Sequence, residues 1–158
     1  MKRNCHFIIA LVAAIGVAAA AQADDTITFN LTNTTGSRVS VNSAFTTCSP
    51  SGSNCTVPSS IANSATEAIV HNAVNGATVG PLLIARYAYT SGGITRSCQL
   101  TVRVSKDSGD PTRCVANSLN FDFAKTDGTA TSPVCGAVAV STENYTTCTF
   151  VLSATMSN

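Results

Sequence analysis

Hydrophobic and polar side chains alternate one by one through most of this chain after residue 23, the signature of β-strands that bury a single face. The segment Ile94–Ser105 is the clearest example. Ile94, Cys98, Leu100, Val102 and Val104 fall on one face with Arg96 as the sole polar intruder, and Thr95, Ser97, Gln99, Thr101, Arg103 and Ser105 fall on the other. Leu82–Thr90 precedes it across Ser91-Gly92-Gly93, where two glycines free to adopt positive φ predict a hairpin turn. Ile27, Phe29 and Leu31 repeat the pattern, followed by Val39, Val41 and Phe45 after a Thr35-Gly36 turn. Val115, Leu119, Phe121 and Phe123 predict another strand, closed by Lys125-Thr126-Asp127-Gly128, and Cys148, Phe150, Leu152, Ala154 and Met156 predict the last. Val134–Val140 is a shorter apolar run, and Glu67–His71 and Val74–Val79 are weaker strand candidates.

Turn signals every 8–12 residues and the lack of any helical period after residue 23 predict an all-β chain. The expected architecture is an antiparallel β-sandwich of about 7–9 strands, immunoglobulin-like or jelly-roll-like, with a small β-barrel as the alternative.

The N-terminus changes how the cysteines are read. Lys2 and Arg3, the apolar run Phe7–Ala21 and the small-residue triplet Ala21-Gln22-Ala23 read as an export signal, Met1–Ala23, ahead of one β domain, residues 24–158. Cleavage there would remove Cys5 and leave six of the seven cysteines, Cys48, Cys55, Cys98, Cys114, Cys135 and Cys148, in a compartment where disulfides persist. The expected location is the periplasm, the cell surface or the extracellular space of a bacterium. Cys48 and Cys55 flank Ser-Pro-Ser-Gly-Ser-Asn, which suits a local loop-closing disulfide. The other four allow three connectivities. A core-spanning Cys98–Cys148 bond with Cys114–Cys135 is one arrangement, because Cys98 and Cys148 both lie on inward faces. Gaps of 6, 42, 15, 20 and 12 residues between successive cysteines contain no close pair of the kind zinc sites use.

Loss of Lys2 and Arg3 with the signal leaves seven Lys/Arg against eight Asp/Glu, a net charge of −1. Without a basic cluster the chain lacks the electrostatic footprint of a nucleic-acid binder. No stretch after the signal is long and apolar enough to serve as a membrane-spanning helix.

Candidate chemistry is sparse. His71 is the sole histidine beyond the signal, so a Ser-His-Asp or Cys-His unit would have to use it, and no G-x-S-x-G elbow accompanies it. Asp107 and Asp110 lie in turn-forming sequence, Asp122 points outward between Phe121 and Phe123, and Glu143 sits in Thr142-Glu-Asn-Tyr145. A catalytic carboxylate pair would need two acids facing one cleft. The Asp107/Asp110 turn is a conceivable Ca²⁺ ligand set but lacks the spacing of a defined calcium loop. Asn30, Asn33, Asn54 and Asn144 each begin an N-x-Ser/Thr match. Tyr87 and Tyr89 share one side of a strand and are the candidate binding residues, suited either to anchoring a protein or glycan or to finishing the core.

The opening Ile27-Thr-Phe-Asn-Leu-Thr-Asn-Thr-Thr-Gly-Ser-Arg-Val-Ser-Val41 resembles the first hairpin of aegerolysin-type β-sandwich cytolysins over about fifteen residues. That resemblance implies a membrane-active sandwich. Composition and motifs taken together instead predict an exported, disulfide-stabilised, non-enzymatic binding or interaction protein, without cofactor or metal, whose partner is a protein or glycan. A surface-fibre subunit is a further alternative, because the alternating Thr26–Thr32 segment has the form of a strand donated to a neighbouring subunit.

Overall fold

Twelve short strands fold into two packed sheets in the computed structural model, which describes residues 25–74, 77–126 and 133–158. The proposed signal, Met1–Ala23, and Asp127 of the closing turn lie outside the described residues. The first sheet runs β10 (Val134–Cys135), β12 (Thr149–Ser157), β1 (Thr26–Thr34), β6 (Thr66–Asn72) and β4 (Asn54–Thr56), with β11 (Ala139–Asn144) also paired to β12. The second runs β5 (Ser60–Ile61), β2 (Val39–Val41), β7 (Leu82–Ser91), β8 (Ile94–Arg103) and β9 (Asn120–Lys125), with β3 (Thr47–Ser49) paired to β7. The expected all-β sandwich is therefore present, in more and shorter strands than the alternation alone suggests.

Alternation becomes burial. Ile27, Phe29 and Leu31 of β1, Ile69 of β6, and Phe150, Leu152 and Met156 of β12 are fully buried from the first sheet. Val39, Leu83, Ala85, Tyr87, Cys98, Leu100 and Val102 meet them from the second. Phe29 touches Phe123 across the gap, ring centroids 5.9 Å apart. The β7–β8 hairpin turns at Gly92 and Gly93, with φ of 58° and 76°. A two-residue loop of this hand needs positive φ at both positions, which a side chain would oppose.

Several local expectations are corrected. β1 and β12 pair in parallel, Thr26 opposite Thr149 through Thr34 opposite Ser157, so the sandwich is not wholly antiparallel. β2 lies in the second sheet, paired to β5 and β7, so β1 and β2 do not form the hairpin that the cytolysin resemblance implies. β1 is central in its own sheet, paired to β12 on one side and β6 on the other. The strand predicted from Val115 begins only at Asn120, because Ser118 donates back to the Val115 carbonyl at 3.2 Å and Asn117 takes φ 60°. Val134–Val140 divides at Gly136, where a Cβ would come within 2.7 Å of the Thr155 carbonyl oxygen. Described residues of Val74–Val79 form no strand. Phe45 sits in a 3₁₀ turn (Ser43–Phe45), exposed, with the Arg86 guanidinium 3.5 Å from its ring centroid.

The disulfides follow a rule the sequence did not disclose. Cys48–Cys55 closes its loop as expected, yet it also joins β3 of the second sheet to β4 of the first. The other four pair as Cys98–Cys135 and Cys114–Cys148, not as Cys98–Cys148 and Cys114–Cys135. Cys98 on β8 thereby reaches Cys135 on β10, again sheet to sheet. Cys114, bridged to Lys106 just beyond β8, reaches Cys148 at the foot of β12. Inward placement of Cys98 and Cys148 was correctly read, but both are core residues with closer partners.

Loop length orders the expected cost of losing each bond, because a longer closed loop removes more freedom from the unfolded chain. Sequence separations are 37 for Cys98–Cys135, 34 for Cys114–Cys148 and 7 for Cys48–Cys55. Paired Cys→Ala replacement should cost about 4 kcal/mol for either long-loop bond and about 2 kcal/mol for Cys48–Cys55. Urea unfolding of the three double variants gives the ranking; if loss of Cys48–Cys55 costs most, loop entropy is not what these bonds supply.

Candidate functional site

Tyr87 and Tyr89, the candidate binding residues, point inward from β7 and are 0% and 5% exposed. The Tyr87 hydroxyl donates to the Pro58 carbonyl at 2.8 Å and the Tyr89 hydroxyl to Asn158 Oδ1 at 3.0 Å. Burial pushes the Tyr87 phenol well above its ordinary pKa. Both rings are core residues with satisfied polar ends, so neither can present a face to a ligand. Sequence could not decide this, because strand alternation gives two faces without saying which is inside.

Turn acids are used locally. Asp107 Oδ1 accepts from the Gly109 amide at 2.8 Å, and Asp110 Oδ1 from the Thr112 amide at 3.0 Å and from its hydroxyl. Those donors hold the Asp110 carboxyl below its usual pKa. Both carboxylates close their own turns. Asp122 and Glu143 are exposed on β9 and β11, and Glu143 accepts from the Tyr145 hydroxyl. Among the described residues, no three His, Cys, Asp or Glu groups are placed to hold a metal.

Of the four N-x-Ser/Thr matches, Asn33 is fully buried. Its amide donates to the Ser37 and Ile61 carbonyls at 2.8 and 2.9 Å, and its Oδ1 accepts from the Thr35 amide and hydroxyl at 3.0 and 2.8 Å. All its hydrogen-bonding capacity is consumed in fixing the β1–β2 connection, so it cannot carry a glycan.

One polar cluster escaped sequence reading altogether. Asp25, immediately before β1, faces Lys106, just after β8, at the end of the core. Lys106 Nζ lies 2.7 Å from both carboxylate oxygens, and the two side chains are only 4% and 6% exposed. The Cys148 sulfur is 3.7 Å from the same nitrogen. His71, on β6 opposite Ile27, shares this end of the interior, fully buried with neither ring nitrogen hydrogen-bonded. Burial is the main cause that lowers its pKa from 6.5, and the Asp25 charge partly offsets it. No nucleophile–base pair is visible in this cluster; it holds an ion pair and a neutral imidazole.

Two clefts open on the outside of the second sheet. One, of about 620 Å³, is lined by Val79, Leu82, Ile84, Thr101, Arg103 and Asn120 among others. Leu82 and Ile84 alternate with the core residues of β7 and so face outward. The other, of about 420 Å³, lies along β2 and β7 and is polar, with Arg38, Ser40, Asn42, Ser43, Thr90 and Thr95 on its walls. No helix among the described residues is long and apolar enough to cross a membrane. No protein-family model matches the chain, and no curated protein matches it significantly.

The buried imidazole makes stability pH-dependent with a definite sign. A folded-state pKa below the unfolded value of 6.5 means that the unfolded chain binds the proton more readily. Stability is then lost as pH falls below about 6.5 and until the lower folded-state pKa is passed. Chemical denaturation at pH 7 and pH 5 should show a smaller drop for His71→Leu than for the wild type; equal drops would remove His71 as the cause.

Proposed function

We propose that this chain is an exported, non-enzymatic binding module of the bacterial envelope or extracellular space. The single observation that carries this reading is the cleft on the outer face of the second sheet, where Leu82 and Ile84 form an apolar floor beside the Arg103 and Asn120 side chains. Half-buried apolar groups rimmed by polar ones fit protein contact better than catalysis. The strands beneath are fixed to the opposite sheet through Cys98–Cys135 and Cys48–Cys55, so the surface is presented with little freedom to lose on binding. The partner class that suits this floor is an apolar protein segment with an acidic or hydrogen-bonding flank to meet Arg103. Strand donation gains no support, since β1 is already paired on both edges within its own chain. Membrane insertion loses the hairpin on which the cytolysin resemblance rested.

A photo-reactive amino acid installed at Ile84 in the producing cell should give one discrete protein adduct, and the same group at exposed Thr66 of the opposite sheet should give none. Equal labelling from both positions, or adducts from Thr66 alone, would remove the cleft as the binding face.

A further inference from the structure

Three disulfides tie the chain together from Cys48 to Cys148, and none reaches the residues before Cys48. β1 is nevertheless the central strand of its sheet, so the stability of that sheet depends on a strand with no covalent tie of its own. We propose that Asp25 and Lys106 supply the missing tie by condensing into an intramolecular amide.

Position is the first argument. A lysine nitrogen 2.7 Å from both oxygens of a carboxylate lies in the plane that bisects the group. That puts it within roughly 3 Å of the carboxyl carbon, the separation of a near-attack geometry. Both backbones are held there. The Asp25 carbonyl accepts from the Ala73 amide at 2.9 Å, and Lys106 is bridged to Cys114, whose disulfide partner Cys148 gives its carbonyl to the Thr26 amide at 3.0 Å. Two reacting groups fixed in this way meet as a unimolecular pair, without the loss of freedom that a bimolecular condensation in water would cost.

Environment is the second. Removing both charges from water is costly, and an enclosed ion pair recovers that cost only with good hydrogen bonding all round. Here the Lys106 ammonium donates to Oδ1, and Oδ2, though 2.7 Å from the same nitrogen, accepts no hydrogen bond. The step begins with transfer of one proton from the ammonium to the carboxylate, which gives a neutral amine and a neutral acid. The amine lone pair then attacks the carboxyl carbon, forming the Nζ–Cγ bond. A second proton passes from nitrogen to the departing hydroxyl, the C–O bond breaks and one water leaves. Nothing is oxidised or reduced, and no co-reactant enters. His71, buried nearby with both ring nitrogens unpartnered, is the neighbouring group able to carry that second proton. Exclusion of solvent from the site also opposes the reverse hydrolysis.

The protein as exported, with disulfides reduced and alkylated, decides the matter by intact mass. We expect it to be lighter than its sequence by one molecule of water, and trypsin to leave Lys106 uncut, yielding Val104–Arg113 joined through Lys106 to the peptide that carries Asp25 and ends at Arg38. Asp25→Ala should restore both the full mass and cleavage after Lys106. Because digestion follows full denaturation, this readout holds even if the variant folds poorly. A wild-type protein of full mass, or one lacking a water but cut normally at Lys106, overturns the proposal. Either result leaves the binding face on the second sheet untouched.

Discussion

Two of the three disulfides, Cys48–Cys55 and Cys98–Cys135, join one sheet of the sandwich to the other, and much of the remaining architecture is arranged around that constraint. A sandwich whose strands are two to ten residues long has limited hydrogen bonding within each sheet, and β3, β4 and β10 are too short to persist by pairing alone. Their retention depends on being pinned. Cys48–Cys55 fastens β3 and β4 across the gap, and Cys98–Cys135 holds β10 opposite the most regular hairpin of the molecule. A core built from Leu, Ile, Val, Phe and Tyr without tryptophan supplies the apolar burial, while the clamps fix the distance at which the two inner faces meet.

The cost of this design collects at one end of the core. Asp25, Lys106 and His71 are brought together where β1 and β12 begin side by side, an arrangement that follows from their parallel pairing. Polar groups in such a place destabilise unless matched, and the match is incomplete: the acid and the lysine face each other, but the imidazole has no hydrogen-bond partner. Neutral, it is tolerated as a flat, largely apolar ring; protonated, it would set a second cation beside Lys106.

Strand identity was legible wherever one face is continuously buried. β1, β8 and β12 carry the clearest alternation, and their inward residues are those the pattern assigns, except for Ile94, exposed at the hairpin tip, and Ser97, buried from the face read as outward. Alternation gives no information on which strands become neighbours. It therefore left open the parallel β1–β12 pair, the assignment of β2 to the other sheet and the cysteine pairing, all of which are decided by contacts between distant segments. Tyr87 and Tyr89 show the same gap from another side: their shared face was evident, and its direction was not. Asn33 was visible only as a modification motif, although its amide organises a connection to Ser37 and Ile61. The Asp25–Lys106 contact spans 81 residues and belongs to no motif, so no reading of spacing could have found it.

Clamping the sheets together also changes what the outer surfaces are free to do. In a sandwich held by burial alone, outward positions on the central strands are best filled by polar residues that protect solubility and sheet edges. Here β7 carries Leu82 and Ile84 outward, directly behind the core residues Leu83 and Ala85. An apolar pair at those positions contributes little to the interior and leaves a surface that water solvates poorly. Their presence is accounted for if that face meets another molecule, since the stability needed to carry a costly surface comes from covalent bonds that the face does not touch. Arg103 and Asn120 beside them then restrict which segment can dock, because an apolar floor sets affinity and its polar rim sets register. On the proposed reading, bracing and recognition are divided between the inner and outer faces of the same two strands, β7 and β8.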